Sequence, residues 1–276
     1  MLREITQEEF HLIADIAYKR WGLSLPETKM PMVSGRLASY ARRSGLQSIE
    51  EFISRLQNGE NQKDLLAIFD MLSTNVTSFF RDPEHFAYLE RELYTGLARG
   101  TLTLPDRKLR IWSAACSIGA EPYTLAMHAL DHLPGIGKDW DVRILGTDLS
   151  ESALANARRA VYPENMVEQL DPELVKRHFL RGSGKCGGYV KVAPQVTDLV
   201  TVQRLNLMDP WPMKGPFQVI FCRNVMIYFD NPTKQRLVQR MHDLLDPGGV
   251  LVLGSAETLA GLSTTFRHVQ PSIYQK

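Results

Sequence analysis

The chain reads as an α/β protein: a small all-helical N-terminal domain, then a doubly wound, Rossmann-like domain carrying an inserted small antiparallel β-subdomain. Three observations predict this. From Thr6 to about Leu97 the sequence has helical punctuation and helical apolar spacing with little strand character. From Leu109 onward strand-like and helix-like segments alternate. Between the helix ending near Ala160 and the strand starting at Val200 the connection is too long for a simple crossover, and it is rich in glycine.

Taken in order, Thr6-Gln7-Glu8-Glu9 forms a capping box, and Phe10, Ile13, Ala14, Ala17 and Tyr18 share one apolar stripe of the helix that follows. A second helix spans Met32 to Arg43 and carries Arg36, Arg42 and Arg43, a candidate docking face that reads equally well as a solvated helix face. Ser44-Gly45 stops it, and another helix runs from about Ser48 to Leu56. Gly96 to Arg107 reads as a linker. The expected division is residues 1–95 helical, 96–108 linker and 109–276 α/β, with the insertion at about 161–199. Strands are predicted near Leu109–Ser113, Arg143–Thr147, Val200–Arg204, Gln218–Cys222 and Val250–Gly254, and helices near Pro122–Leu133, Ser150–Ala160 and Pro232–Leu245. Arg181-Gly182-Ser183-Gly184-Lys185-Cys186-Gly187-Gly188, flanked by short apolar runs, predicts a hairpin within the insertion. It lacks both the spacing of a Walker phosphate loop and a following helix.

Bulk properties narrow the function classes. A chain of 276 residues, 44% apolar and 23% charged, can bury a full core in one large or two modest domains and is expected to be soluble. A net charge of +1 argues against a general nucleic-acid or membrane binder. Cys116, Cys186 and Cys222 are widely spaced, which suggests neither a disulfide framework nor a thiolate zinc site, and a reducing cytoplasm is the expected home. Met1 to Phe10 holds three acids and no apolar leader core, and no run reaches the roughly 20 apolar residues that span a bilayer.

The chemistry concentrates where predicted strands end. Leu109–Trp112 runs into the small-residue turn Ser113-Ala114-Ala115-Cys116-Ser117-Ile118-Gly119-Ala120-Glu121-Pro122-Tyr123, and Ile144-Leu145-Gly146-Thr147-Asp148 closes the next strand in an acid. Small residues permit close backbone approach to a ligand, Pro122 suits a first helical turn, and the terminal acid is placed to accept hydrogen bonds from ribose hydroxyls. Only Gly119 of the turn is glycine, so a pyrophosphate cradle is disfavoured. A nucleoside cofactor without phosphate, such as S-adenosyl-L-methionine, fits better. Asn206-Leu207 and Arg223-Asn224-Val225-Met226-Ile227-Tyr228 follow the third and fourth strands at the same edge. Each has a plainer alternative: Asp148-Leu149-Ser150 can cap a helix, and Asn206 can make a turn.

Thr74-Asn75-Val76-Thr77-Ser78-Phe79-Phe80-Arg81, the Ser113–Tyr123 turn and Phe221-Cys222-Arg223-Asn224-Val225-Met226-Ile227-Tyr228-Phe229 together resemble the chemotaxis receptor methyltransferase family, CheR, over nearly the whole chain. The resemblance implies a class I methyltransferase domain. It also implies transfer of methyl from S-adenosyl-L-methionine to glutamate carboxylates on the cytoplasmic helical bundle of chemoreceptors, leaving S-adenosyl-L-homocysteine. By motif position it puts Asn75, Thr77, Arg81, Glu121, Asp148, Asn206, Leu207, Arg223 and Asn224 at the cofactor. Arg81 and Tyr228 become the candidates for orienting the acceptor carboxylate, Tyr228 having a purely structural alternative. The Arg36/Arg42/Arg43 helix becomes receptor-facing. The turn with Gly187 and Gly188 becomes a docking point for a receptor's C-terminal peptide, pairing as an extra strand. A cytoplasmic monomer is expected.

A glutamate is already an anion near neutral pH, its pKa being about 4.3, so no general base and no His or Cys nucleophile is needed. Three local signals point elsewhere. Asp209-Pro210-Trp211-Pro212 resembles the signature of amine-methylating nucleic-acid enzymes but precedes the fourth strand, so it reads as a proline-rich loop. His128 and His132, at helical spacing beside Asp131, could bind a metal, but none is expected. Cys116 sits in the turn, where small size explains it as well as reactivity does, and it is assigned no thiolate role. The alternative to an enzyme is a non-catalytic module that binds S-adenosylmethionine and serves signalling or scaffolding.

Overall fold

In the computed structural model, which describes residues 3–44, 48–57, 62–72 and 76–276, the chain forms two compact units, Met1–Asn75 with Tyr228–Lys234, and Val76–Ile227 with Gln235–Lys276. The first is helical. Helix α1 (Gln7–Trp21) starts at the capping box: the Thr6 hydroxyl accepts from Glu9 N at 3.2 Å and the Glu9 carboxylate accepts from Thr6 N at 2.8 Å. Phe10, Ile13, Ala17 and Trp21 are buried along it. Tyr18, expected on that stripe, is instead 43% exposed, and its hydroxyl donates to Asp230 at 2.8 Å. The amphiphilic ring tip is satisfied at the surface rather than in the core. α2 (Met30–Ser44), α3 (Ile49–Gln57) and α4 (Gln62–Leu72) complete the helices described in this unit. Trp21 meets Phe69 edge-on at 5.4 Å, and Tyr40 meets Phe52 at 5.6 Å. Gly45 of the expected stop lies outside the described residues.

The second unit begins with α5 (Pro83–Tyr88), a π-helical turn (Leu89–Tyr94) and α6 (Thr95–Arg99). Then follow β1 (Lys108–Ala114), α7 (Ala120–His132), β2 (Asp141–Asp148) and α8 (Glu151–Arg159). The insertion contains β3 (Val161–Pro163), α9 (Pro172–His178), β4 (Phe179–Arg181), β5 (Tyr189–Val192) and α10 (Pro194–Thr197). β6 (Val200–Arg204), β7 (Phe217–Cys222), α11 (Asn231–Leu244), β8 (Leu245–Leu253), β9 (Arg267–Gln270) and β10 (Ile273–Gln275) follow.

The main sheet has the order β6-β2-β1-β7-β8-β10-β9. Its first five strands are parallel, with Ile111 opposite both Ile144 and Val219, while β10 runs antiparallel to β8 and β9 antiparallel to β10. Every residue of β7 is buried, which explains its unbroken apolar run, because a central parallel strand is covered on both faces. β1 and β7 are neighbours although the chain leaves β1 toward β2, so the strand order reverses there, and ligands of such sheets bind at the carboxyl ends of the strands flanking that point.

Two expectations are corrected. Residues 83–99 are helical as read, yet Phe86, Tyr88, Leu89, Tyr94 and Leu97 pack into the core that holds Leu109 and Ile111, and Phe86 stacks on Phe221 at 5.9 Å. They therefore group with the sheet and not with the helical unit, and the stretch read as a linker contains α6 and a helical turn at Pro105–Arg107. Apolar spacing shows which face of a helix is buried but not which core receives it. The two C-terminal strands were not anticipated. They are three and four residues long and turn through Ser272 at φ +63, too short to show alternation. The insertion is a three-stranded antiparallel sheet, β3-β5-β4, with Val161 opposite Lys191 and Phe179 opposite Val192. Its glycine-rich turn joins β4 to β5 as the hairpin reading expects. No described helix is long and apolar enough to cross a membrane.

Candidate functional site

The turn after β1 is shaped by three left-handed residues in five, Ala115, Ser117 and Gly119. Cys116 N donates to Thr147 O at 2.8 Å, which ties the turn to the end of β2. Asp148 then clamps it. One carboxylate oxygen accepts from Ser117 N at 2.8 Å and the other from Ser150 N at 2.9 Å, while its carbonyl accepts from Leu205 N at 2.9 Å. Within Asp148-Leu149-Ser150 it is Ser150 that caps α8, its hydroxyl accepting from Ala153 N at 3.2 Å, while Asp148 holds the amide of that cap residue and also the β1 turn. Gly119 has a reason other than ligand approach: a Cβ there would lie 2.8 Å from Ala157 Cβ and 3.1 Å from the Tyr162 hydroxyl, at a φ of +92. The turn is small so that α7 can start against α8.

Arg223, at the end of β7, is the second organising group. Its side chain is 3% exposed. Nη1 donates to Glu121 at 2.9 Å, and Nη2 donates to the Arg81 carbonyl at 2.8 Å and to the Asp82 carboxylate. The other oxygen of Glu121 accepts from the Ser113 hydroxyl at 2.7 Å. One guanidinium therefore joins strand β1's turn to the segment leading into α5, where Phe80 and Asp82 both have left-handed backbones flanking Arg81. Burial works to raise the Asp82 pKa, but the hydrogen bond and charge of Arg223, aided by His85 and Arg81, hold it below the ordinary value. Phe79 anchors the same segment edge-on between Tyr162 at 5.0 Å and Phe179 at 5.1 Å.

A third group went unseen in the sequence. Glu257, past the end of β8 and 7% exposed, accepts from Asn224 N at 2.8 Å, Gly254 N at 2.7 Å and Ile227 N at 3.2 Å. It fixes the turn after β7, where Asn224 is left-handed at φ +59. A Cβ on Gly254 would come within 2.8 Å of Glu257 and 2.7 Å of Asn224, so the fit requires glycine. The available signal was an acid just beyond the last parallel strand, at the same sheet edge as the others.

Three hydrogen-bonded clusters thus stand after the parallel strands: Arg223 with Glu121, Ser113, Asp82 and the Arg81 carbonyl; Asp148 with Ser117 and Ser150; and Glu257 with Asn224, Ile227 and Gly254. Thr77 is half-buried in the Arg81 segment, whose Nη1 donates to Val76 O at 3.3 Å. Asn206 turns its side chain onto Met208 N at 3.1 Å, and the Leu207 carbonyl accepts from Trp211 Nε1 and Arg240, so this corner is built by turn chemistry. Trp211 packs on Trp112 at 4.8 Å and under the Arg240 guanidinium at 3.8 Å, while Asp209, Pro210 and Pro212 are exposed, so Asp209–Pro212 is the loop it was read as, anchored by its tryptophan. Asn75 lies outside the described residues. Tyr228 belongs to the first unit, where its carbonyl accepts from Ser24 N at 2.8 Å. Arg36 is half-buried in that unit, donating to the Met71 carbonyl at 2.6 Å at the end of α4, whereas Arg42 and Arg43 are exposed. Gly187 and Gly188 are exposed in the β4–β5 turn. Burial beside Asp148 and Glu121 raises the Cys116 thiol well above its ordinary pKa, which leaves it an inert small residue.

The donor and acceptor set suits a positively charged nucleoside. An ionised carboxylate accepts about four hydrogen bonds. Among the described residues, Glu121 accepts a hydrogen bond on each of its oxygens, and Arg223 Nε is a buried donor without a protein partner that a bound carboxylate would satisfy.

Residues 75–274 match the CheR methyltransferase SAM binding domain, and residues 8–72 match the CheR methyltransferase all-alpha domain. Chemotaxis protein methyltransferase 2 of Pseudomonas aeruginosa is 38% identical over 270 residues, covering 98% of this chain and 93% of that protein. The chemotaxis protein methyltransferase of Borreliella burgdorferi is 34% identical, covering 99% of this chain and 95% of its own, and that of Escherichia coli is 33% identical, covering 98% and 91%.

Proposed function

Because this chain belongs to the CheR methyltransferase family, we propose that it methylates glutamate side chains of chemoreceptor cytoplasmic bundles, producing glutamate methyl esters. The observation that carries the reading is the pair of acids, Asp148 and Glu121, at the strand-order reversal, in a turn that offers no glycine cradle for phosphate. When bound, S-adenosyl-L-methionine supplies a methyl group on a sulfonium centre. Asp148 would hold its ribose and Glu121 its ammonium group. Arg223 acts as a positioning residue, holding Glu121 and the Arg81 segment. Thr77, Asn206, Leu207 and Asn224 would complete the pocket.

The acceptor glutamate is ionised at neutral pH, so the protein has no proton to remove and its contribution is alignment and exclusion of water. Arg81 would orient the carboxylate, and Tyr228 is the other candidate for that role, each being able to donate a hydrogen bond to a carboxylate. Arg42 and Arg43 meet the acidic receptor bundle, and the β3-β5-β4 sheet receives a receptor's C-terminal peptide as an added strand. The protein acts as a cytoplasmic monomer.

The test is transfer of labelled methyl from S-adenosylmethionine to a receptor cytoplasmic fragment from the same cell. Label released as methanol by mild base supports a glutamate ester. Cofactor binding without transfer to any receptor fragment would replace the enzyme reading with a non-catalytic binding module.

A further inference from the structure

We propose that Glu90, His128 and His132 form a site for one divalent transition-metal ion, with Zn²⁺ the ion that suits it best. The inference does not depend on the methyl-transfer reading. His128 and His132 are four residues apart on α7, so they share a face, and their ring centroids are 4.3 Å apart. Glu90 enters from the π-helical turn, with Oε1 3.5 Å from His132 Nδ1. One donor atom of each residue lies within 4.8 Å of the other two. Bonds of about 2.0–2.2 Å in a tetrahedron put ligand atoms roughly 3.4 Å apart, a spacing that the Glu90–His132 pair already has.

Two further observations separate this cluster from an ordinary ion pair. His128 is 6% exposed, walled by Phe86 and Tyr94 at 5.5 Å each, and its Nδ1 is buried with no hydrogen-bond partner. Nδ1 of His85 and of His178 is buried and unpartnered too, but of the three only His128 belongs, among the described residues, to a group of donors close enough to share an ion. The π-helical turn is the other, since such turns are rare and recur at functional sites.

The acid that the sequence sets between the histidines is not the ligand. Asp131 pairs with His178 at 2.9 Å and Arg177 at 3.1 Å, and Glu90, from a separate helical segment, takes the third place. Two imidazoles and one carboxylate favour Zn²⁺ over Mg²⁺ or Ca²⁺, which prefer all-oxygen sites. Three protein ligands leave a fourth position to water, and Glu90 is exposed on that side. The ion would staple the π-helical turn to α7, the helix that begins at Glu121's turn.

The experiment uses the full chain, stripped with a chelator and dialysed, then titrated with Co²⁺ and followed by its visible absorption, with Zn²⁺ added in competition. The expected result is a tetrahedral Co²⁺ spectrum saturating at one equivalent, displaced by Zn²⁺, together with a melting temperature raised by Zn²⁺. His132→Ala should weaken binding at least 100-fold and remove the spectrum, Glu90→Gln should weaken it about tenfold, and His11→Ala should change nothing. Since His132 is partly exposed, its replacement preserves the fold, which the metal-free melting curve checks. Wild-type binding no tighter than that of His132→Ala, or titration without a plateau at one equivalent, would overturn the proposal.

Discussion

Replacing Gly119 by alanine distinguishes two reasons for a glycine at the head of α7. If the residue exists to let backbone approach a ligand, the substitution should weaken cofactor binding and leave stability alone. The structure puts the missing Cβ 2.8 Å from Ala157 Cβ and 3.1 Å from Ala157 Cα, at φ +92. A left-handed L-residue costs about 1–2 kcal/mol, and forcing an extra methyl into a packed contact costs about 1–3 kcal/mol. The expected loss is therefore about 2–5 kcal/mol, or on the order of 10 °C in melting temperature for a chain of this size. Only the contact part should respond to room made on α8. In an Ala157→Gly background, itself costing about 0.5–1 kcal/mol, Gly119→Ala should be less damaging by about 1–3 kcal/mol, a coupling read from a double-mutant cycle by urea unfolding. Equal losses in both backgrounds would refute the packing argument. So would an unchanged melting temperature accompanied by lost S-adenosylmethionine binding in calorimetry.

Glu257→Gln replaces an acceptor of three backbone N–H bonds with a group that must turn an amide N–H toward a donor; a loss of about 2–3 kcal/mol and weaker cofactor binding are expected, and retention of both would show that the turn after β7 holds itself. Arg223→Met strips Asp82 and Glu121 of their shared cation; unfolding free energy should fall by about 3–5 kcal/mol, and a change under 1 kcal/mol by denaturant titration would show that the pin is idle. Burial, reinforced by Arg223 and opposed by Asp82, lowers His85 to about 4 from 6.5. The unfolded chain then takes up a proton that the native state refuses, so stability falls as pH drops from about 6.5 to 4, by up to about 3 kcal/mol. His85→Phe should flatten that slope by nearly one proton, and an identical pH dependence in wild type and variant would contradict the burial account.

What could be read in advance followed local physics. The run Gln218–Cys222 announced strand β7, and the capping box at Thr6 announced the start of α1. Asp148 and Glu121 could be singled out because they follow the ends of parallel strands, and the structure shows what each holds there: Asp148 the Ser117 and Ser150 amides, Glu121 the Ser113 hydroxyl and Arg223. Other features depend on partners distant in sequence. Tyr94 and Leu97 have the spacing of any amphipathic helix, and only the folded sheet shows that their partners are Leu109 and Ile111. Arg36 looked like a surface cation, yet the end of α4 draws it onto main-chain carbonyls. Glu257 acts across 33 residues of chain on Asn224 N, a link that no local pattern encodes.

The grip of Glu257 has a consequence for how such a loop can change over time. Its three partners are main-chain amides, so the bond at 227 holds whatever side chain stands there. Gly254 and the left-handed Asn224 are the exceptions, since no Cβ fits at the first and few side chains suit the backbone of the second. Form and composition are thereby uncoupled: the turn's path is written once, in a glutamate and a glycine, and the residues facing outward from it are open to drift. A lineage meeting a new acceptor protein could re-letter that rim one codon at a time and never pass through a misshapen intermediate.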